Sequence, residues 1–303
     1  MHPLPARQRD AICPNCSAAI CSGDHYCSAC GQKTRYRPRS LRAMLQDIAG
    51  RDFAPDGRLG LTLKALLIPG ELTVEWFAGR QQRYLGPVRL LLLLMLAVVF
   101  VLQLTTRSNL ARAPDPERGT PIWSFVYGAD HAPAVLQVHL AHTRVEVRVG
   151  ALAPLLQPLA ARVQSRLADL SERELRERLL LKVVPAHSYG LLLIVPLVIV
   201  LLALSYAGTG RRLAEHTVFV LHWCSFGLLA ALCLQLPIEL LLQRSDWAQI
   251  AFAVVVTLWF ALGVQNYYRG THWVNALRVL AVAAMTWLIE PYIDALVALV
   301  ALG

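Results

Sequence analysis

Charged residues are scarce in this chain. Only 16% of its 303 residues are Asp, Glu, Lys or Arg, whereas 56% are hydrophobic. A soluble domain carries about 25% charged residues, so this deficit predicts a membrane protein rather than an ordinary soluble one. The first forty residues contain cysteines, prolines and charges but no apolar core, so no cleavable signal peptide is expected.

Motifs of familiar enzymes are also lacking. The chain contains no Gly-rich phosphate loop, no Ser nucleophile elbow and no His-Glu-x-x-His zinc signature. No repeat of about 20–50 residues and no low-complexity tract is evident. The sequence therefore indicates an architecture more clearly than it indicates a reaction.

What the chain does contain is a cysteine module near its start. Four of its seven cysteines form two Cys-x-x-Cys pairs, Cys13–Cys16 and Cys27–Cys30. Two residues between thiolates allow one tight turn to direct both sulfurs to a tetrahedral ion, and two such turns close a four-ligand zinc site. A closed site leaves no position for water, so we predict a structural Zn²⁺ that makes the short segment fold. Gly31, after the last cysteine, suits the positive φ of such turns.

Other assignments of the metal ligands and of the cysteines stay open. Cys21 or His25 could replace one ligand, although either exchange spoils the paired spacing. The four cysteines could instead act as two metal-free redox dithiols. Cys224 and Cys233 lie in an apolar stretch, where they are predicted to be small buried hydrophobes.

Long apolar stretches predict an all-α polytopic membrane protein with about five transmembrane helices. The predicted spans are 87–104, 186–207, 217–237, 247–265 and 276–302. The last is interrupted by Glu290, Pro291 and Asp294. The predicted domains are a zinc ribbon with a basic linker (1–40), amphipathic interfacial helices (41–86), transmembrane helix 1 (87–104), an extracytoplasmic segment (105–185) and transmembrane helices 2–5 (186–303).

Residues 41–86 carry apolar groups at helical spacing, and Pro69-Gly70 divides them into two pieces. Each piece is too short and too polar to span, so both are predicted to be amphipathic helices on the inner membrane surface. Trp76, Phe77 and Tyr84 are expected at headgroup depth. Arginines of this region and of the linker are predicted to meet anionic lipid headgroups rather than nucleic acid: Arg35, Arg37, Arg39, Arg80 and Arg83.

The polar segment after the first span has two patterned regions. Residues 144–149 alternate strictly between polar and apolar, which predicts a half-buried strand. Residues 159–182 place leucines and valines at helical spacing among charges, which predicts an amphipathic helix.

Two observations favour a cytoplasmic N-terminus and, with five spans, an extracytoplasmic C-terminus. Thiolates that bind a metal need a reducing compartment. With the N-terminus in the cytoplasm, seven arginines near the span ends lie on the inner side and four on the outer side, which agrees with the excess of positive charge on cytoplasmic loops. The inner set is Arg80, Arg83, Arg89, Arg211, Arg212, Arg269 and Arg278, and the outer set is Arg107, Arg112, Arg118 and Arg244.

Ionisable residues within spans are candidates for function because their insertion is costly. Glu290 and Asp294 are four residues apart, so they share one helix face. They form either a proton, cation or basic-ligand site or a kinked, water-exposed helix end. Glu215, His216 and His222 form a second group, which either serves a metal-dependent chemistry or caps its span and hydrogen-bonds a neighbouring helix.

Several of these residues resemble a known family. The cysteine module is followed by Pro69-Gly70, Gly79-Arg80 and Arg83-Tyr84, with Thr62, Leu66 and Pro87 nearby. Later come Glu215-His216-x-x-Phe219-x-Leu221-His222 and Tyr267-Tyr268. This order resembles uncharacterised bacterial inner-membrane proteins with an N-terminal zinc ribbon, grouped as a domain of unknown function. The resemblance implies an architecture and no activity.

The leading hypothesis is a non-enzymatic protein of the bacterial inner membrane. Its zinc ribbon and amphipathic helices would form a cytosolic platform for a protein partner or for anionic lipid. A small transporter or channel-like bundle that uses Glu290 and Asp294 is the alternative. A membrane enzyme that uses Glu215, His216 and His222 is the third hypothesis.

Overall fold

A computed structural model describes residues 9–21, 23–34, 57–111, 136–141, 144–149, 153–168, 184–238 and 245–302, together with a few single positions between 170 and 182. Helices dominate this part of the chain. They are α1 (Arg58–Leu66), α2 (Glu71–Phe77), α3 (Pro87–Ala111), α4 (Ala153–Leu167), α5 (Val184–Ser205), α6 (Leu213–Ala230), α7 (Ser245–Tyr268) and α8 (His272–Leu302). The strands are β1 (Arg9–Ile12), β2 (Ala19–Cys21), β3 (Leu136–Ala141) and β4 (Arg144–Val149).

Four helices of the described chain are long and apolar enough to cross a membrane. Their candidate spans are Pro87–Leu104, Leu213–Ile238, Trp247–Tyr268 and His272–Glu290. The span predicted at 186–207 coincides with α5, whose described apolar stretch, Leu192–Ser205, is shorter. A membrane protein is therefore supported, and the count of five remains a prediction.

The fold divides into two compact units. Unit 1 comprises Met1–Leu92, Ala203–Phe226 and Leu258–Val279, and unit 2 comprises Leu93–Leu202, Gly227–Thr257 and Leu280–Gly303. Unit 1 contains the cysteine module, in which β1 and β2 pair as an antiparallel hairpin. Tyr26 and Lys33 form a further antiparallel bridge across the second cysteine pair.

The α1–α2 hairpin of unit 1 breaks where the sequence predicted. Gly70 adopts φ +79°, a left-handed conformation that suits glycine, between the end of α1 and the start of α2. Helix α1 buries Thr62, Ala65 and Leu66, which share one face because Ala65 and Leu66 lie three and four residues after Thr62.

The aromatic residues of the hairpin are largely covered by protein, and their depth in the membrane stays a prediction. Trp76 and Tyr84, predicted at lipid headgroup depth, are only 5% and 7% exposed, so protein atoms surround them. Phe77 is half-buried and lies 5.9 Å from the ring of Tyr267. Phe77 therefore helps attach the hairpin to the bundle. Residues 41–56 of the predicted amphipathic region lie outside the described residues.

Unit 2 contains the polar segment that follows the first span. The strand predicted at 144–149 is confirmed as β4, which pairs antiparallel with β3. A helix within the region predicted at 159–182 is observed as α4, which begins earlier, at Ala153, and the described positions Glu174 and Arg178 further on are also helical. Ala160, Val163 and Leu167 of α4 pack against the end of α8, at Ala298, Leu299 and Leu302. Such a tertiary contact leaves no periodicity of its own in the sequence.

Helix α8 includes the whole of the last predicted span, 276–302. It runs continuously from His272 to Leu302, through Glu290 and Pro291, and its candidate span ends at Glu290. In α6, the turn Ala231–Gln235 is π-helical, so the helix continues beyond Ala230 with a local widening.

Candidate metal centre and polar cluster

The four predicted zinc ligands converge. The sulfur atoms of Cys13, Cys16, Cys27 and Cys30 all lie within 4.8 Å of one another. Cys13 Sγ is 3.7 Å from Cys30 Sγ, and Cys16 Sγ is 3.6 Å from Cys27 Sγ. A tetrahedron with Zn–S bonds of about 2.3 Å has edges of about 3.8 Å, so the donor set and its spacing fit zinc. The cysteines are present as free thiols rather than disulfides.

The two cysteine turns have matching backbones. In the first, Ser17 N–H donates to Cys13 C=O at 2.9 Å, and in the second, Gly31 N–H donates to Cys27 C=O at 2.8 Å. The residue after each pair has a positive φ, +62° at Ser17 and +70° at Gly31. The expectation of a positive φ at Gly31 is therefore confirmed, and Ser17 holds the same conformation without being glycine.

Backbone donors around the cluster favour thiolate at one position. The N–H groups of Cys30 and Ala29 lower the pKa of the Cys27 thiol to about 7. Cys16 differs, because the N–H of Ala18 favours its thiolate whereas the Cys30 sulfur and burial raise its pKa, on balance to about 12. Crowded thiolates repel one another, so a cation among them is needed before all four ionise.

The alternative ligands do not join the converging group. Among the described residues this group consists of the four paired cysteines, while Cys21 is partly exposed and His25 is exposed. Zinc bound here would supply folding free energy to the ribbon, because a closed four-thiolate site has no open coordination position. The group is compatible with a metal site of a structural kind.

The ribbon also contacts the loop between α2 and α3. The backbone N–H of Gln82 donates to Gln32 Oε1 at 3.1 Å, and that of Arg83 donates to Asn15 Oδ1 at 3.1 Å. Asn15 lies inside the first cysteine pair and Gln32 follows the second. Both cysteine turns are therefore joined to the loop, which leads directly into the first candidate span.

The tip of the α1–α2 hairpin packs against one face of α7. Trp259 Nε1–H donates to the Leu66 carbonyl at 2.9 Å, and Asn266 Nδ2–H donates to the Pro69 carbonyl at 3.0 Å. Gly263 lies between these donors on the same face, in backbone contact with Gly70. Trp259 thus satisfies a carbonyl that the end of α1 leaves without a partner in the helix, and Asn266 satisfies one in the turn that follows.

His222 makes the second link between this hairpin and the bundle. Its Nδ1 lies 2.8 Å from Thr73 Oγ1, and both side chains are fully buried. His222 Nε2 has no hydrogen-bond partner within the described part of the chain. His222 therefore does hydrogen-bond a neighbouring helix, and its ring position is set by α2.

Glu215 lies at the start of α6 in a network of its own. Its carboxylate accepts from Arg211 Nη1 at 2.7 Å and from the Arg212 backbone N–H at 3.3 Å. The Tyr267 hydroxyl donates to it at 3.3 Å. These contacts satisfy donors at the helix start, as the capping interpretation predicts.

His216 belongs to a buried stack of rings. Its Nδ1 is 2.8 Å from the Tyr268 hydroxyl, and the Tyr268 ring stacks on Tyr206 with centroids 4.3 Å apart. Tyr206 donates from its hydroxyl to Asn275 Oδ1 at 2.8 Å, while the Arg278 guanidinium lies 4.1 Å above its ring. The stack thereby connects α6, α7 and α8 within unit 1.

Glu215, His216 and His222 do not assemble into one reactive site. Glu215, His216 and His222 each bond a different partner, and the cysteine group is the metal-ready cluster found among the described residues. Glu290 is half-buried in α8, and the Asp294 side chain lies outside the described residues. The enzyme hypothesis therefore receives no support from this geometry.

The predicted lipid-contacting arginines are only partly described. Arg80 pairs with Glu75 at 3.3 Å, and Arg83 lies 5.8 Å from the centre of the Tyr84 ring. Arg35, Arg37 and Arg39 lie outside the described residues. The assignment of these arginines to lipid headgroups remains a prediction.

Comparison with known proteins yields one family. The family described as "Protein of unknown function (DUF3667)" matches residues 56–99. This stretch contains α1, α2 and the first part of α3, and with them the Pro69-Gly70, Gly79-Arg80 and Arg83-Tyr84 pairs of the sequence resemblance. No curated protein and no solved structure matches the chain. The chain thus carries a domain of unknown function together with a cysteine cluster.

Sequence reasoning missed the residues that hold the hairpin. Thr73, Trp259, Gly263 and Asn266 have no motif around them, and their partners are up to 197 positions away. One signal was present: Asn266 is a polar residue in an apolar helix, and such residues face protein partners.

Proposed function

We propose that the protein is a non-enzymatic integral membrane protein whose zinc-loaded ribbon is an interaction platform for a protein partner. The ribbon lies in the cytosol of a bacterial cell, and five helices cross the inner membrane to an extracytoplasmic C-terminus. Thiolate ligands require a reducing compartment, and the excess of arginine at the same ends of the spans agrees with this orientation.

The observation that carries the proposal is the attachment of the ribbon to the α2–α3 loop. The backbone N–H groups of Gln82 and Arg83 donate to side chains beside the two cysteine pairs. These bonds fix the orientation of the ribbon relative to the α2–α3 loop within unit 1. The ribbon surface is left with Ile12 72% exposed and Tyr26 56% exposed. An oriented module with uncovered apolar and aromatic side chains suits protein recognition, because such residues dominate binding energies at interfaces.

Photocrosslinking on the full-length protein in native membranes tests the platform. A photoreactive phenylalanine analogue at position 26 should give an adduct with a discrete protein. The double variant Cys13→Ser/Cys30→Ser should lose both zinc and the adduct while the helices still insert, because the ribbon cannot fold without its ligands. The same probe at Leu155, which is 75% exposed in α4, is the matched control.

The outcomes separate the hypotheses. A zinc-dependent protein adduct at position 26 that Leu155 does not give supports the platform. An adduct consisting only of lipid, or equal capture by the metal-free variant, contradicts it. Substitution Ile12→Ser should weaken the capture, since it removes exposed apolar area without touching a metal ligand.

A further inference from the structure

A cleft of about 410 Å³ opens where α6 begins and α7 ends. It has one polar wall and one apolar wall. The polar wall comes from the two helix ends, and the apolar wall comes from α2. The lining residues are Val74, Phe77, Arg211, Glu215, Asn266, Tyr267 and Arg269.

Arg211 is held in place at the cleft. Its guanidinium donates to Glu215 at 2.7 Å and to the Tyr268 carbonyl at 3.3 Å. It also lies 5.3 Å and 5.5 Å from the centres of the Tyr267 and Tyr268 rings. A guanidinium has more N–H groups than these two bonds use, so a pre-oriented donor remains for a ligand.

Arg269 supplies the second positive charge, in an unusual conformation. Its φ of +55° is one that side chains other than glycine rarely adopt. Asn275 Nδ2 bonds the Arg269 carbonyl at 3.2 Å, and Gln265 Nε2 bonds the Gly270 carbonyl at 3.3 Å, so the turn is fixed from two sides. Strain that neighbours maintain in this way concentrates at ligand sites. With Glu215 paired to Arg211, the cleft keeps a net positive charge.

The level of the cleft along the helices identifies the class of ligand. Arg211 precedes the candidate span Leu213–Ile238, and Arg269 follows the candidate span Trp247–Tyr268. Both cations therefore lie just beyond the hydrocarbon-crossing segments, at the level of lipid phosphates. Val74 and Phe77 extend the same cleft with apolar surface, as an acyl-chain neighbour requires.

We propose that this cleft binds the phosphate headgroup of an anionic phospholipid, with the phosphate between Arg211 and Arg269 and the first acyl carbons against Val74 and Phe77. The residues of this site do not include the ribbon, so the lipid proposal can be tested independently of the platform proposal. Arginine suits the role because its planar donor fork matches phosphate oxygens.

Native mass spectrometry of the delipidated full-length protein tests the site. The protein is titrated with phosphatidylglycerol, with phosphatidylcholine and with free glycerol phosphate. Phosphatidylglycerol should bind most tightly. Arg269→Gln should weaken it by roughly tenfold, the loss expected for one charge-assisted hydrogen bond. Arg269→Lys should lose less binding than Arg269→Gln, because the charge remains although the planar donor fork is lost.

Arg212→Gln is the matched control. Arg212 is an exposed arginine next to Arg211 that does not line the cleft, so its loss should change binding by less than about twofold. Equal losses in Arg212→Gln and Arg269→Gln would mean diffuse surface attraction and would overturn the proposal. Tight binding of glycerol phosphate alone would assign the cleft to a soluble phosphate ester and overturn the lipid assignment.

Discussion

Gly70 and Gly263 meet backbone to backbone. A Cβ atom on Gly70 would lie 2.9 Å from the Gly263 carbonyl oxygen, and one on Gly263 would lie 3.2 Å from the Phe219 ring and 3.4 Å from the Gly70 nitrogen. This approach brings the tip of the α1–α2 hairpin within reach of Trp259 and Asn266. The contact lies at the centre of the region that fixes the hairpin, so a side chain added at Gly70 should destabilise the protein.

Substitution Gly70→Ala should destabilise the protein by about 2–4 kcal/mol, because it adds both backbone strain and a clash with Gly263. Unfolding in mixed detergent micelles with increasing dodecyl sulfate measures the loss. Gly208→Ala is the matched control: Gly208 has φ +81° but no atom within 4 Å of its Cβ position. It should cost about 1 kcal/mol, the strain alone. Equal losses at the two positions would contradict the close contact.

The Thr73–His222 bond predicts a coupled pair. Thr73→Val should cost about 1–3 kcal/mol, because it leaves His222 Nδ1 buried without a partner. The double variant Thr73→Val/His222→Phe should lose less stability than the two single variants lose together, since both single variants remove the same interaction. Thr217→Val is the control, because that hydroxyl bonds a carbonyl of its own helix. A double-mutant cycle by the same unfolding assay measures the coupling, and strictly additive losses would count against it.

The zinc site predicts different outcomes for two cysteines of the same module. Cys27→Ser should abolish stoichiometric zinc, whereas Cys21→Ser should leave about one zinc per chain, because Cys21 lies outside the converging group. Elemental analysis of the purified protein measures both. Zinc retained by Cys27→Ser and lost by Cys21→Ser would reassign the ligand set.

The matching turns predict an affinity gain at Ser17. Ser17 has a left-handed backbone that is strained for a residue with a Cβ atom, whereas Gly31 adopts it without strain. Ser17→Gly should therefore tighten zinc binding by roughly fivefold, or about 1 kcal/mol, because a penalty present only in the folded ribbon is removed. Gly31→Ser should weaken it by a similar factor. Competition with a chromogenic chelator gives both affinities, and an unchanged affinity in Ser17→Gly would show that the strain is relieved elsewhere.

Much of the local structure follows from local chemistry. The spacing of the cysteine pairs, the break at Pro69-Gly70 and the alternation at 144–149 each act over a few residues, so each could be predicted. The β3 partner of β4 could not be predicted, because pairing depends on a second strand with a weaker pattern. The contact of α4 with the end of α8 could not be predicted for a similar reason, since it joins segments more than a hundred residues apart.

The candidate polar site also combines features that the sequence indicates with contacts that only the packing of the helices decides. The sequence singled out Glu215, His216 and His222 by their cost within a span, and one interpretation was a cap at the helix start with a bond from His222 to a neighbouring helix, but it named no partner residue for the two histidines. The structure gives each a different one: Arg211, Tyr268 and Thr73. Three ionisable residues within eight positions of one helix thus serve three separate contacts, because successive helical residues point in different directions.

By itself, the sequence determined the thiolate quartet, the apolar helices and the breaks between them, because ligand spacing, hydrophobicity and backbone preference are properties of neighbouring residues. Only the tertiary structure decided that Gly70 meets Gly263, that Thr73 bonds His222 and that Arg211 and Arg269 line one cleft. These relationships join distant segments through shape and hydrogen-bond geometry, which exist only once the helices pack.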